Sequence, residues 1–137
     1  MNEEIVYILR FLLAALCGSL IGLERQKRAK TAGVHTHAIV ASTSALMMIV
    51  SKYGFSDVLS YEGISVDASR IAAGVVSAIG FIAAGVVLIR DENVTGVTTA
   101  AGLWATVAMG LTIGAGMYVT GFAFTLAIIV MHFIRRK

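Results

Sequence analysis

Residues 5–37 read IVYILRFLLAALCGSLIGLERQKRAKTAGVHTH. An almost unbroken apolar run, residues 5–23, empties into a loop holding one carboxylate, Glu24, and four cations, Arg25, Lys27, Arg28 and Lys30. His35 and His37 follow, and then the chain turns apolar again. A helix needs roughly 20 apolar residues to cross the hydrocarbon of a bilayer, so the first run is long enough to span. It does not read as a signal peptide. The chain begins Met-Asn-Glu-Glu rather than with a basic segment, and Leu16 stands before Cys17 where a lipoprotein signal needs a small residue. The cations come after the run, where they stop transfer, so the segment reads as a retained spanning helix.

The composition agrees. Of 137 residues 58% are hydrophobic and 14% charged, with no proline, whereas soluble domains average about a quarter charged residues. A water-soluble chain of this length has no core large enough to hide that much apolar surface. Five apolar segments follow one another: 5–23, 36–50, 68–89, 97–117 and 118–134. The fold class expected is therefore all-α, an integral membrane bundle of about five transmembrane helices. The stretch 113–121 (IGAGMYVTG) requires a tight, glycine-built turn between the last two. Residues 51–67 form the one substantial loop, and residues 1–137 read as a single transmembrane domain with no soluble C-terminal domain. Cys17, the single cysteine, falls inside an apolar run and reads as a small buried hydrophobe.

Charge sets the expected orientation. With the Glu24–His35 loop inside and the spans alternating, Arg25, Lys27, Arg28, Lys30, Arg90, Arg135, Arg136 and Lys137 fall on one side, eight of the eleven Lys and Arg residues. Positive loops stay in the cytoplasm, which gives N-terminus out and C-terminus in. The same cations can attract anionic lipid heads.

In lipid, helices meet through small residues that let backbones approach. Gly18 and Gly22 form one GxxxG, Gly110 and Gly114 another, and the third segment repeats small residues around Gly80 and Gly85. These read as helix-packing positions, within one bundle or between copies in a homo-oligomer. Trp104, about two turns into the fourth segment, reads as core.

Polar groups at the span ends are the candidate functional residues. On the outer side Arg10, Asp67, Ser69 and Arg70 lie at similar depth. Asp67 can cap the third helix, or the group can form a polar vestibule. On the inner side Glu24, Arg25, Thr36, His37, Thr98 and Thr99 converge. This set has the oxygen ligands that suit a hard cation and an imidazole that titrates near neutrality; Glu24 and His37 are its best metal candidates. The plainer alternative is an ion pair for Glu24 and a helix cap from Thr98 or Thr99. No nucleophile–base pair, phosphate loop or metal-binding cysteine set is present in the sequence, so no enzyme is expected.

The blocks GSLIGLERQKRAKTAGVHTHAIVA (18–41), DASRIAAGVVSAIGFIAAGVVL (67–88) and TGVTTAAGLWATVAMGLTIGAGMY (95–118) together resemble the MgtC/SapB family of bacterial membrane proteins. The family's IGxER segment leading to AG-x-RTH is matched by Ile21, Gly22, Glu24, Arg25, Ala32, Gly33, Thr36 and His37. Its DPSR-like helix start is matched by Asp67, Ser69 and Arg70, its GIGFLGAG run by Ile79, Gly80, Phe81, Ala84 and Gly85, and its GLTTAA-x-W run by Gly96, Thr98, Thr99, Ala100, Ala101 and Trp104. His35 stands where the family has arginine, and Ala78 and Ala83 where it has glycine, so the family's polar network is not carried over whole. The resemblance implies a multi-pass protein of the bacterial inner membrane, linked to magnesium homeostasis or adaptation to magnesium limitation. Two readings follow. One is cation transport, with Mg2+ as ligand or substrate and no other cofactor. The other is a non-transporting regulatory protein that binds another membrane protein through its glycine-rich helix faces. The lipid bilayer and a homodimer or other membrane protein are the expected partners; nucleic acid is not.

Overall fold

The computed structural model describes residues 2–90 and 93–134, the side chain of Arg90 excepted. Glu3 and Glu4 open the first helix, α1 (Glu3–Lys27), and Arg25 and Lys27 close it. That order of charge complements the helix dipole at both ends. The helix stops in a paired reverse turn: the Lys30 N–H donates to the Arg25 carbonyl and the Ala29 N–H to the Gln26 carbonyl. This is the Schellman arrangement, and it puts Ala29 at φ +50° where glycine is the usual residue.

The chain then forms α2 (Val34–Tyr53), a short 3-10 turn (Val58–Ser60), α3 (Ser69–Gly85), a two-stranded hairpin of β1 (Leu88–Arg90) and β2 (Asn93–Thr95), α4 (Val97–Gly114) and α5 (Tyr118–Phe133). The strands are antiparallel, with Leu88 opposite Thr95 and Ile89 opposite Val94. Two boundaries differ from the sequence reading. The second helix runs past both ends of 36–50, to 20 residues. Its C-terminal end is tied to its neighbours: the Ser51 hydroxyl donates to the Ala68 carbonyl, and the Lys52 ammonium donates to the Ala115 carbonyl at 2.9 Å. The third helix is shorter than 68–89. It ends at Gly85, and the rest of that apolar run leaves the helix for the hairpin. Val86 keeps helical angles, and the Val86 and Val87 N–H groups donate to the Ala83 and Ala84 carbonyls as a closing turn. Of the apolar run only Leu88 and Ile89 therefore enter the strand, where β-branched Ile89 suits the extended backbone. Between α4 and α5 the turn is glycine-built: Gly116 has φ +90°, its N–H donates to the Ile113 carbonyl, and the Met117 N–H donates to the Thr112 carbonyl.

α4 is the hub, touching each of the other four helices; α3 lies on α2 and α4, and α5 on α4 and α1. The interior is small and the exterior large. Ala14, Cys17, Ala41, Ala45, Met109 and Ile113 are buried together, while Leu12, Leu16, Ile39, Phe81, Phe124 and Leu126 are exposed. That sorting is what a bilayer solvent permits, since large apolar side chains gain nothing by turning away from lipid. Trp104 follows the same rule. It is 55% exposed rather than core, because the inward stripe of α4 is given to Thr99, Gly102, Thr106 and Gly110.

The two GxxxG pairs grip α2 from both sides. A methyl on Gly22 would meet the Val34 Cα at 2.6 Å, and one on Gly110 would meet the Ser44 Cβ at 2.9 Å; Gly18 and Gly114 abut Ala41 and Ala45 in the same way. Gly80 and Gly85 do not share this role. A methyl at either meets no atom within 4 Å, because the glycine side of α3 faces away from α2 and α4. Among the described residues three helical stretches are long and apolar enough to cross a membrane, Glu3–Lys27, Val34–Ser60 and Val97–Gly114, while α3 and α5 are shorter apolar helices. Arg135, Arg136 and Lys137 lie outside the described residues, as does the side chain of Arg90.

Candidate functional site

At the basic end of the bundle, where α1 and α5 finish and α2 begins, sits Glu24. It is 6% exposed, and no other carboxylate among the described residues is buried. Arg25, 2% exposed, donates its Nε–H to Glu24 Oε2 at 2.5 Å. Arg28, one turn along and partly exposed, places Nε 2.6 Å from Oε1, but its N–H is out of line and Oε1 accepts no hydrogen bond. From α5, His132 brings Nδ1 to 3.6 Å from Oε2. Two guanidiniums thus bracket one carboxylate in a partly dry setting, where removing either partner leaves a charge unpaired.

One turn deeper, His37 is fully buried. Its Nδ1 lies 2.8 Å from Thr106 Oγ1, and that hydroxyl donates its one proton to the Gly102 carbonyl at 2.8 Å. The hydroxyl therefore accepts from His37, which assigns the proton of the neutral ring to Nδ1. Nε2 is left with a lone pair and no partner. Gly102 makes room for both imidazoles: a methyl there would lie 3.4 Å from His132 Nε2 and 3.8 Å from His37 Cε1.

The inner set expected from sequence is thus divided. Glu24 and Arg25 are together, joined by Arg28 and His132. His37 turns to Thr106 instead of to Glu24, and Thr36 is half-buried beside it. Thr98 and Thr99, at the first turn of α4, line a cavity of about 330 Å³ with Lys30, Thr31 and the base of the hairpin. Thr98 also borders a smaller cavity of about 150 Å³ with Arg25 and His132. Neither threonine caps its helix; Gly96, at φ +87°, holds that position. Among the described residues no group of three or more His, Cys, Asp or Glu is placed to hold a metal ion. Glu24 and His37 do not make such a pair, since the carboxylate faces guanidiniums and the imidazole Nδ1 is used by Thr106.

The outer set also separates. Arg10 donates to the hydroxyls of Tyr118 at 2.9 Å and Tyr53 at 3.1 Å, and to the Gly114 carbonyl at 3.0 Å. Its guanidinium lies near the rings of Tyr7, Tyr53 and Tyr118. It stitches α1 to the ends of α2 and α4 and the start of α5 instead of meeting Asp67. Asp67 accepts from the Ser69 N–H at 2.8 Å and the Ser69 hydroxyl at 2.6 Å, and these two bonds hold its carboxyl below the ordinary range. Arg70 is exposed nearby. Asp67 and Ser69 form a local helix start rather than a vestibule with Arg10.

Sequence reasoning missed His132, Thr106, Tyr53 and Tyr118. Alternating spans place His132 at the depth of Glu24 and the two tyrosines at the depth of Arg10, so that register was the available signal. Thr106 carried none beyond lying seven residues, two turns, from Thr99.

The sequence profile of the MgtC family matches residues 11–137. Among curated proteins, one of Escherichia coli K12 named "Putative magnesium transporter YhiD" is 54% identical over 115 residues, covering 84% of this chain and 54% of that protein. "Protein MgtC" of Salmonella typhimurium is 38% identical over 131 residues, covering 96% of this chain and 53% of its own length. An uncharacterized protein of Haemophilus influenzae is 38% identical over 130 residues, covering 93% and 55%. The chain spans about half the length of these relatives. No solved structure matches it.

Proposed function

This chain belongs to the MgtC family, and from that premise we propose that it is a multi-pass protein of the bacterial inner membrane acting in adaptation to magnesium limitation without itself conducting the ion. Five spans, N-terminus out and C-terminus in, accord with the cations gathered at the end where α1 stops and α4 starts. The name of the Escherichia coli relative supports the magnesium link.

The observation that carries the non-conducting reading is the pairing of Glu24 with Arg25 and Arg28. A pathway for Mg2+ needs oxygen ligands free to replace its tightly held waters. Here the one buried carboxylate among the described residues is already neutralised. The cluster then serves as a structural ion-pair network at the end of α1 with His132 of α5 packed beside it, and the protein acts through contacts, with the open glycine side of α3 as the surface offered to a second copy or to another membrane protein.

Cation passage is the second reading, favoured by a buried His37 Nε2 that has no hydrogen-bond partner and a Glu24 Oε1 that accepts no hydrogen bond. Purified protein in liposomes loaded with a magnesium-sensitive dye separates the two. The expected result is no Mg2+ flux above empty liposomes. Flux that Glu24→Gln abolishes would establish transport instead.

A further inference from the structure

We infer that the cavity at the start of α4 binds a phosphate group, as a phosphomonoester or phosphodiester anion. This goes beyond the proposed role and involves neither Glu24 nor its arginines. The cavity measures about 330 Å³, on the order of ten water volumes at roughly 30 Å³ each. That is room for a phosphate and part of what it is attached to.

Three kinds of donor converge there. The first is the helix itself. Gly96 holds the cap position in the left-handed region with no side chain to offer, and the first bond of the helix is from the Ala100 N–H to the Gly96 carbonyl. The N–H groups of Val97, Thr98 and Thr99 are therefore unsatisfied at the positive end of an 18-residue dipole. Such an end receives anions and repels cations.

The second is Thr99. Its side chain forms part of the cavity wall and is 3% exposed, yet its hydroxyl has no hydrogen-bond partner among the described residues. The hydroxyl is not one of the fully enclosed unpaired atoms, so it keeps access to solvent and is free to donate to an acceptor held in the cavity that Thr99 lines. The third is Lys30, brought to the cavity by the reverse turn that ends α1. It is half-buried and has no ion pair among the described residues. Thr31, Thr95 and Thr98 add hydroxyls to the wall. Amides, hydroxyls and one ammonium form the donor set of a tetrahedral oxyanion.

The cavity opens at the basic end, at the level where lipid headgroups lie, so the phosphate comes either from an anionic lipid or from a soluble compound. Purified full chain in a nonionic detergent, followed by amide NMR, is titrated with inorganic phosphate. The same protein is then placed in phosphatidylcholine nanodiscs with and without phosphatidylglycerol. The expected result is a saturable shift at Val97, Thr98 and Thr99. Seen with inorganic phosphate it assigns a soluble ligand, and seen only with phosphatidylglycerol it assigns a headgroup. Lys30→Gln and Thr99→Val should each weaken binding about tenfold, the effect of one charge-assisted or buried hydrogen bond. Lys30 sits in a surface turn, so its variant keeps the test available if Thr99→Val does not fold. No saturable shift with either source, or shifts of unchanged affinity in the variants that fold, would overturn the assignment.

Discussion

Gly18→Ala and Gly80→Ala are the same chemical change in two helices of the same bundle, and the structure gives them opposite signs. In an open helix alanine is favoured over glycine by about 1 kcal/mol, because glycine loses more backbone freedom on folding. At Gly80 nothing lies within 4 Å of the new methyl, so that gain is realised in full. At Gly18 the methyl would lie 2.6 Å from the Ala41 Cβ and closer still to the His37 carbonyl oxygen. Carbon atoms rest about 3.5–4.0 Å apart, so α1 and α2 must separate by about 1 Å. The carbonyl belongs to the backbone and cannot rotate aside. Overpacking of this kind costs about 1–3 kcal/mol in soluble cores. The Gly18 contact belongs at the upper end because the motion loosens Gly22 against Val34 as well, so the net loss after the alanine gain is about 2 kcal/mol.

The assay is unfolding in mixed micelles of increasing denaturing detergent, followed by far-UV circular dichroism. Gly18→Ala should move the midpoint down and Gly80→Ala should move it slightly up, a gap of about 3 kcal/mol when both are converted to free energy. A Gly18→Ala protein as stable as the parent would refute the close contact between α1 and α2. A Gly80→Ala protein that loses stability only at high protein concentration would place a second copy on α3.

Glu24→Gln leaves Arg25 buried beside a neutral amide and should cost about 3 kcal/mol by the same assay, with Arg25→Gln no less damaging since it strands the carboxylate. Arg10→Lys keeps the charge but loses the fork that reaches Tyr53, Tyr118 and Gly114 together, and a loss of about 1–2 kcal/mol is expected. Ala29→Gly relieves a left-handed backbone at φ +50° and should stabilise by about 1 kcal/mol. Asp67→Ala removes a cap whose carboxyl titrates below its ordinary value of 3.8. A depressed carboxylate stabilises above its unfolded value and stops doing so as pH falls through its folded one. The melting temperature of the variant should therefore sit below the parent's at neutral pH, and the two should converge as pH falls below about 3.8.

The helices were legible in the sequence because lipid makes one rule dominate: long apolar runs with charged ends. Their number and order follow from that rule, and so does the glycine-built turn at Gly116. It fails where two physical causes give the same letters. Residues 86–89 satisfy a spanning helix by hydropathy, yet the helix closes through a turn at Val86 and Val87, only Leu88 and Ile89 of the four join the hairpin, and Gly96 at its base comes close against the Val86 carbonyl. The site shows the same limit. Depth along the chain's spans is what sequence offers, and it is why Glu24, His37, Thr98 and Thr99 read as one inner set. Azimuth around each helix is not readable when almost every face is apolar, as the exposed Trp104 shows. Sorting by azimuth sends His37 to Thr106, Glu24 to Arg25 and His132, and Thr99 to the cavity beside Lys30. A cluster that depth alone reads as one cation site is thereby split into an ion-pair network, a buried histidine and a cavity lined by Lys30 and four threonines. Of the three, the cavity is the one that keeps unsatisfied donors facing open space, which is the condition for taking up an anion from outside the chain.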